Sequence, residues 1–303
     1  MSELRELVAE ELSLPVDPRV SAMAAAIAAK HGDASRAVLF YGSCLRQKQL
    51  DWLMLDFYLI VSDYRSAYDK RWLAAANRLI PPNVFYFEPD GLAAKYAVLS
   101  EVDFARECGP RASSVSVVAR FSQPSRLVWA ADEEARESAI QSVAQAAPTL
   151  LDWTLPMGGE GSPNNLWKLA FALTFGAELR AERSDRSRAI VGADPDRFYQ
   201  FGLRALQVIA RMHPGPDPTK THFLMRSDRM ARWWMRMQWK GKALSVLRLA
   251  KASATFAGGA DYIVWKINRH AGTKIELKPW QRRHPLLAGI TLLPKLLRSG
   301  AVR

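Results

Sequence analysis

Three residues of this 303-residue chain stand out by type and spacing. Gly42-Ser43 closes the apolar run "VLFY", and Asp56, 13 positions after Ser43, interrupts a second apolar run, "LMLDFYLIV". A carboxylate buried in a strand without a partner costs several kcal/mol. Asp56 therefore needs a metal ion, a basic neighbour or a place at the mouth of a sheet. A glycine at a strand end lets the backbone approach a phosphate, and a following serine with its neighbouring amides binds phosphate oxygens. An aspartate on the next strand could hold the Mg2+ that bridges the phosphates and an attacking oxygen. The chemistry of that pattern is phosphoryl or nucleotidyl transfer.

The elements that must position these residues are legible as an alternation. "DPRVSAMAAAIAAKHGD" predicts a helix stopped at Gly32, and "RAVLFYGS" a short strand ending in the Gly-Ser turn. "MLDFYLIVSDY" predicts a second strand, and "SAYDKRWLAAANRLIPPN" a helix halted by Pro81-Pro82. "VFYFEPDGLAAKYAVLS" predicts a hairpin around a Glu-Pro-Asp-Gly turn. "SSVSVVARFSQPSRLVWA" is strand-like with a turn at Gln123-Pro124. From Glu133 the pattern becomes helical, with "EEARESAIQSVAQAAPTLL", "NNLWKLAFALTFGAELRAERS" and, after the breaker-rich "HPGPDPTK", the basic helices "RMARWWMRMQW" and "ALSVLRLAKASATFAGGADYIVWKINR". The expected fold class is α+β, in three parts: 1–130, 131–218 and 219–303.

Composition narrows the function classes. Hydrophobic residues make up 49% of the chain, enough for a full core, and global disorder is excluded. Cys44 and Cys108 have no metal-ligand spacing and the five histidines are scattered, so a zinc site is not expected. The acidic, amphipathic start lacks an export pattern, which with two cysteines suits a cytoplasmic setting. The net charge of +12 is concentrated: from Lys220 onward there are 18 Lys/Arg against 3 Asp/Glu. Such a basic part implies a polyanionic partner, and charge alone leaves nucleic acid and anionic lipid both open. The apolar "PLLAGITLLPKLL" is too short to span a bilayer, leaving an interfacial segment or a docked helix.

The order strand, Gly-Ser turn, spacer and Asp-bearing strand is that of polymerase-β-type nucleotidyltransferases, with Tyr58 where these normally carry a second acid. The patches "YGS", "MLDFYLIVSD", "AAKYAVLS", "ARFSQP" and "LRLAKASATFAGG", in that order from Tyr41 to Gly259, resemble the mitochondrial-type phosphatidate cytidylyltransferases, also called the mitochondrial translocator assembly and maintenance proteins. In that family the strand motif also carries a single Asp. The resemblance implies a polymerase-β-like domain, a winged-helix-like helical domain and a basic, amphipathic, membrane-touching C-terminal segment. It implies Mg2+ and CTP, with phosphatidic acid as acceptor and CDP-diacylglycerol and pyrophosphate as products. By position it makes Tyr41, Gly42 and Ser43 phosphate-turn residues and Asp56 a metal ligand. Asp63 falls on the family's acidic strand end, Lys95 and Tyr96 on its Lys-Tyr-Gly pattern, and Arg120 on the Arg of its "AGR". Ala97 stands where the family has Gly, and "ARFSQP" departs from the usual "AGR" context.

The implied roles are Asp56, Ser43 and Lys95 in catalysis, Tyr41, Gly42, Ser43, Lys95, Tyr96 and Arg120 around the nucleotide, and Asp56 and Asp63 on the metal. A phosphomonoester acceptor is a dianion that needs little activation, so the work is positioning and charge neutralisation. The partners expected are CTP, phosphatidic acid and an anionic membrane surface, peripherally on the inner face of the cell membrane. Nucleic acid is not expected, and a homodimer is left open. The alternative is a nucleotidyltransferase acting on RNA or a small acceptor. Arg180, Arg183, Arg186 and Arg188 read as a phosphate pocket or a solvated helix face, and Trp233, Trp234 and Trp239 as an aromatic belt or helical core. Glu88 and Asp90 read first as a turn, Cys44 as a small filler and Asp103 as a helix cap.

Overall fold

A computed structural model describes residues 2–46, 50, 54–158, 162–177, 186–213, 227–255, 276 and 278–280. Its centre is a mixed five-stranded sheet in the order β3-β4-β2-β1-β5, built from β1 (Ser35–Tyr41), β2 (Leu55–Val61), β3 (Asn83–Phe87), β4 (Ala94–Ser100) and β5 (Ser125–Ala130). The β1–β2, β1–β5 and β3–β4 pairs are antiparallel, whereas β2 and β4 run parallel. The parallel pair requires a crossover, which the chain makes through α3 (Tyr64–Ala67), α4 (Arg71–Leu79) and β3.

Both sheet faces are covered, which is why the central strands read as almost unbroken apolar runs. Alternation sends Val38, Phe40, Phe57, Leu59 and Val98 to one face, under α2 (Pro18–Ala29), α3 and α4. It sends Leu39, Tyr58, Ile60, Ala97 and Leu99 to the other, under α1 (Ser2–Ser13), α5 (Glu101–Cys108), α6 (Val115–Phe121) and α7 (Glu133–Ala144). That second core continues through α8 (Ala146–Thr154), α9 (Pro163–Phe175), α10 (Arg186–Gly192) and α11 (Pro195–Met212), so apolar packing runs unbroken across residue 130.

One expected strand is a helix. Val115–Phe121 forms α6, buried on every side, and only Ser125–Ala130 is extended. A short apolar run without polar alternation does not distinguish the two states, and its β-branched residues favoured the wrong one. The spacer after Gly42 begins as a 3-10 turn over Ser43–Arg46. Among the described residues, 131–213 hold helices and no strand.

The long basic helix α12 (Asp228–Thr255) divides the tryptophans. Trp234 is 1% exposed and donates its indole N–H to the Trp153 carbonyl at 3.0 Å, with Trp233 packed on Trp153. Truncating a side chain of that size in a core costs about 3–5 kcal/mol. Trp239 instead faces solvent. Farther along α12, Arg248 Nε donates to the Pro81 carbonyl at 2.7 Å and Lys251 Nζ to those of Ile80 and Pro82, joining the helix to the start of β3. No described helix is long and apolar enough to cross a membrane. Arg180, Arg183 and the "PLLAGITLLPKLL" segment lie outside the described residues.

Candidate active site

The sheet gathers the candidate residues by register. In the parallel β2–β4 pair Asp56 stands opposite Lys95, in the antiparallel β1–β2 pair Tyr41 stands opposite Asp56, and in the β1–β5 pair Ser125 stands opposite Tyr41. Tyr86 of β3 stands opposite Lys95. A row of side chains, Tyr86, Lys95, Asp56, Tyr41 and Ser125, thus crosses all five strands on one face near one end of the sheet. Cross-strand partners lie on the same face, so this row is a direct product of strand pairing.

Asp56 sits in the row with its carboxylate mostly buried. Lys95 Nζ lies 3.0 Å from Asp56 Oδ1, with the side chains 32% and 19% exposed. No donor among the described residues is aligned to make a hydrogen bond to that oxygen. The ammonium therefore offsets the charge while leaving Oδ1 a directional acceptor without a hydrogen. This is the basic partner that a strand aspartate requires.

Gly42 is fixed here for two independent reasons. Its φ of +97° lies in the region that L-residues rarely adopt. A Cβ at this position would stand 3.2 Å from Asp56 Oδ2. Only a glycine lets the turn pass this close to the carboxylate. Ser43 follows with an exposed side chain at the start of the 3-10 turn, closed by the Leu45 N–H donating to the Gly42 carbonyl at 3.3 Å.

Tyr41 and Arg120 form the adjoining wall. The Tyr41 ring packs 5.3 Å from Tyr58 and 6.0 Å from Phe121. Burial and the neighbouring Asp56 charge push its phenol well above the ordinary range, against the pull of the Arg120 guanidinium hydrogen-bonded to it. Arg120 is held by donating Nη1 to the Ser116 carbonyl at 2.8 Å, one turn back on α6. Arg248 reaches the same serine from α12, 3.3 Å from its Oγ. Cys44, just beyond Ser43, has its thiol pushed up to about 11, first by burial and then by Asp56. Its Sγ rests 3.4 Å from the Met54 carbonyl, so it fills space under the turn.

Two expected residues fall elsewhere. Asp63 lies past the opposite end of β2, roughly 20 Å from Asp56 by strand rise. It caps α3, accepting from the Arg65 N–H at 2.7 Å, the Ser66 N–H at 3.1 Å and the Ser66 hydroxyl at 2.5 Å. One ion cannot be shared by Asp56 and Asp63. Tyr96 follows Lys95 in the strand and so points to the other face, where it stacks on Phe85 and lies 3.2 Å from His31 Nε2. It belongs to that aromatic core and not to the row. Glu88 meets the Tyr86 hydroxyl at the hairpin turn, and Asp103 accepts from the Tyr64 hydroxyl at 2.5 Å near the Asp63 end.

Ser125 is the member of the row that sequence reasoning missed. It is fully buried, its Oγ has no hydrogen-bond partner among the described residues, and it stands in register with Tyr41. The Pro124 turn just before it placed β5, and only the pairing register places the hydroxyl.

The donors suit a hard cation. Among the described residues no three His, Cys, Asp or Glu side chains converge to hold a metal alone. Mg2+ commonly binds one or two carboxylates and takes its remaining oxygens from substrate phosphates and water. A single carboxylate with an unhydrogen-bonded oxygen, beside a glycine turn, fits that mode. The row then supplies one carboxylate and one ammonium, and Arg120 of the adjoining wall supplies one guanidinium.

No protein-family model matches this chain, and no curated protein does. Among solved structures it is similar to a nucleotidyltransferase-like protein from Exiguobacterium sibiricum, at 9% identity and a TM-score of 0.30, over 93% of this chain and 92% of that one.

Proposed function

We propose that this protein is a polymerase-β-type nucleotidyltransferase working at the Asp56 end of its sheet, and that it transfers CMP from CTP to phosphatidic acid, giving CDP-diacylglycerol and pyrophosphate. The observation that carries the first half is the approach of the Gly42 turn to Asp56, 3.2 Å from a Cβ position to Oδ2, with the Lys95 ammonium 3.0 Å from the other oxygen. A left-handed glycine turn this close to a carboxylate, with a balancing ammonium beside it, suits a nucleoside triphosphate and its divalent ion. The acceptor rests on the resemblance carried by "YGS", "LDFYLIV" and the later patches, supported by the 18 basic residues from Lys220 onward.

In the reaction an acceptor phosphate oxygen bonds to the α-phosphorus of CTP as the bond to the β,γ-pyrophosphate breaks. Bound Mg2+ would neutralise phosphate charge and orient the attacking and leaving oxygens, with Asp56 as its protein ligand. The Gly42-Ser43 turn holds the triphosphate close, with the exposed Ser43 hydroxyl as a donor. Lys95 transfers its charge compensation from Asp56 to the phosphates. Arg120 fixes Tyr41 and adds positive potential beside the carboxylate. No general base is required, because the acceptor is already an oxyanion.

The test is incorporation of labelled CTP into the organic phase of phosphatidic acid micelles with Mg2+. Labelled lipid formed by the native protein and not by Asp56→Asn is the expected result. Pyrophosphate release with RNA or a small acceptor, without labelled lipid, would replace the acceptor. Labelled lipid made equally by Asp56→Asn would remove the assigned site.

A further inference from the structure

Helix α6 carries two parts of the site wall, Arg120 and Phe121, and has little of its own to place them with. At seven residues it is too short to be stable alone. Its N-cap, Ser114, makes no side-chain capping bond, and the Ser114 hydroxyl is buried with no hydrogen-bond partner among the described residues. Val115, Val117, Val118 and Phe121 bury the helix in the core. Apolar burial is non-directional, so the Arg120 guanidinium has to be aimed by contacts that are directional.

Helix α12 supplies such a contact. One guanidinium, that of Arg248, spans two elements: Nε donates to the Pro81 carbonyl at 2.7 Å, and Nη1 to the Ser116 Oγ on α6 at 3.3 Å. Ser116 is buried, so that bond is made away from bulk solvent. The carbonyl of the same serine accepts from Arg120 Nη1 at 2.8 Å, and Arg120 is hydrogen-bonded to the Tyr41 phenol. Tyr41 stands opposite Asp56 across the β1–β2 pair. A continuous polar path therefore links α12 to the strand neighbour of the carboxylate. Lys251, three positions on, donates to the Ile80 and Pro82 carbonyls. It anchors α12 at the start of β3, whereas Arg248 also reaches α6.

We propose that Arg248 is a positioning residue for the Asp56 site: it fixes α6 through Ser116, and thereby the reach of Arg120 to Tyr41 and the positive potential beside Asp56. Its effect on a bound nucleotide passes through Arg120. A lysine at this position would keep the charge but not the planar fork that joins Pro81 to Ser116. The consequence for binding rests on the nucleotide reading of the site, while the linkage of Arg248 to Arg120 can be measured without a nucleotide.

The experiment is a double-mutant cycle on the full chain, with Arg248→Met, Arg120→Met and the double variant, read by Mg2+–CTP titration calorimetry and by urea denaturation. Arg248→Met is expected to weaken nucleotide binding roughly tenfold with its circular dichroism unchanged. The double variant is expected to bind no more weakly than Arg120→Met alone, because Arg248 acts only through Arg120. Lys251→Met is the control for a loosened α12: its denaturation midpoint should fall while its affinity for Mg2+–CTP stays native. Native affinity in Arg248→Met, or losses that add in the double variant, would overturn the proposal and leave the Asp56 site standing. So would an equal loss of affinity in Lys251→Met, which would make the effect one of general loosening. Native protein that does not bind Mg2+–CTP would remove the nucleotide reading instead. The denaturation cycle then decides, with sub-additive shifts of the midpoint supporting the linkage and additive ones overturning it.

Discussion

Strand β2 has one aspartate near its first residue and another just past its last, and the two are treated in opposite ways. Asp63 is saturated: two backbone amides and the Ser66 hydroxyl donate to it, and those bonds hold its carboxyl below the ordinary range. It satisfies the first turn of α3, which is the work of a helix cap. Asp56 has a lysine for charge balance and an oxygen that no described group hydrogen-bonds. A carboxylate whose needs are met by its own neighbours is structural. One balanced by a single ammonium, beside a glycine turn, is what the proposed ion site requires.

That contrast is most exposed to failure at Asp56. Asp56→Asn keeps the shape of the side chain and removes the anion, and turnover should fall by roughly a thousandfold with the fold retained. Circular dichroism alongside the activity assay separates chemistry from unfolding. Gly42→Ala comes next. The backbone angle would cost about 1–3 kcal/mol by itself. The new methyl would also press on Asp56 Oδ2, so both melting temperature and activity should drop. A Gly42→Ala protein with native activity would show that the close approach is incidental.

At the other end of the strand the expected effect changes in kind. Asp63→Ala should cost about 1 kcal/mol of stability, the usual loss for a cap, and leave nucleotide turnover unchanged. The pH dependence follows from the direction of its shift. Because the folded-state pKa lies below the ordinary 3.8, the cap's contribution is complete above that value and disappears as pH falls further. Denaturation midpoints of the native and Asp63→Ala proteins should therefore differ at neutral pH and converge in that acid range. A difference that persisted there would contradict the carboxylate cap. The smallest effect is at Cys44, whose thiol, titrating at about 11, should resist alkylation at pH 8; rapid labelling would mean that the turn is open.

Much of this was legible because strand periodicity and turn chemistry are local. The Gly42 turn, the Asp56 strand and the Glu88–Gly91 hairpin turn follow from residue types a few positions apart. What escaped the sequence is what depends on facing and register. Tyr96 follows Lys95, and one step along a strand places it on the other face. Asp63 follows Asp56 by seven positions, which in a strand separates them by most of the sheet's width along β2. Ser125 joins the row only because β5 pairs with β1, and nothing near Ser125 in the chain announces that. Val115–Phe121 failed as a strand because an apolar run buried on all sides has no period to read.

The tryptophans of α12 teach the same lesson about burial. Trp233, Trp234 and Trp239 look equivalent in "RWWMRMQW", yet Trp234 anchors the helix to Trp153 while Trp239 stands in solvent. Helical facing alone separates the core residue from the surface one.

The most direct measurement is Mg2+-dependent binding of CTP by titration calorimetry to the native protein, Asp56→Asn and Asp63→Asn. It needs no acceptor, so it tests the site apart from the substrate. The account predicts Mg2+-dependent binding in the native and Asp63→Asn proteins and its loss in Asp56→Asn. Binding that survives Asp56→Asn and is lost in Asp63→Asn would place the ion at the wrong end of the strand and contradict it.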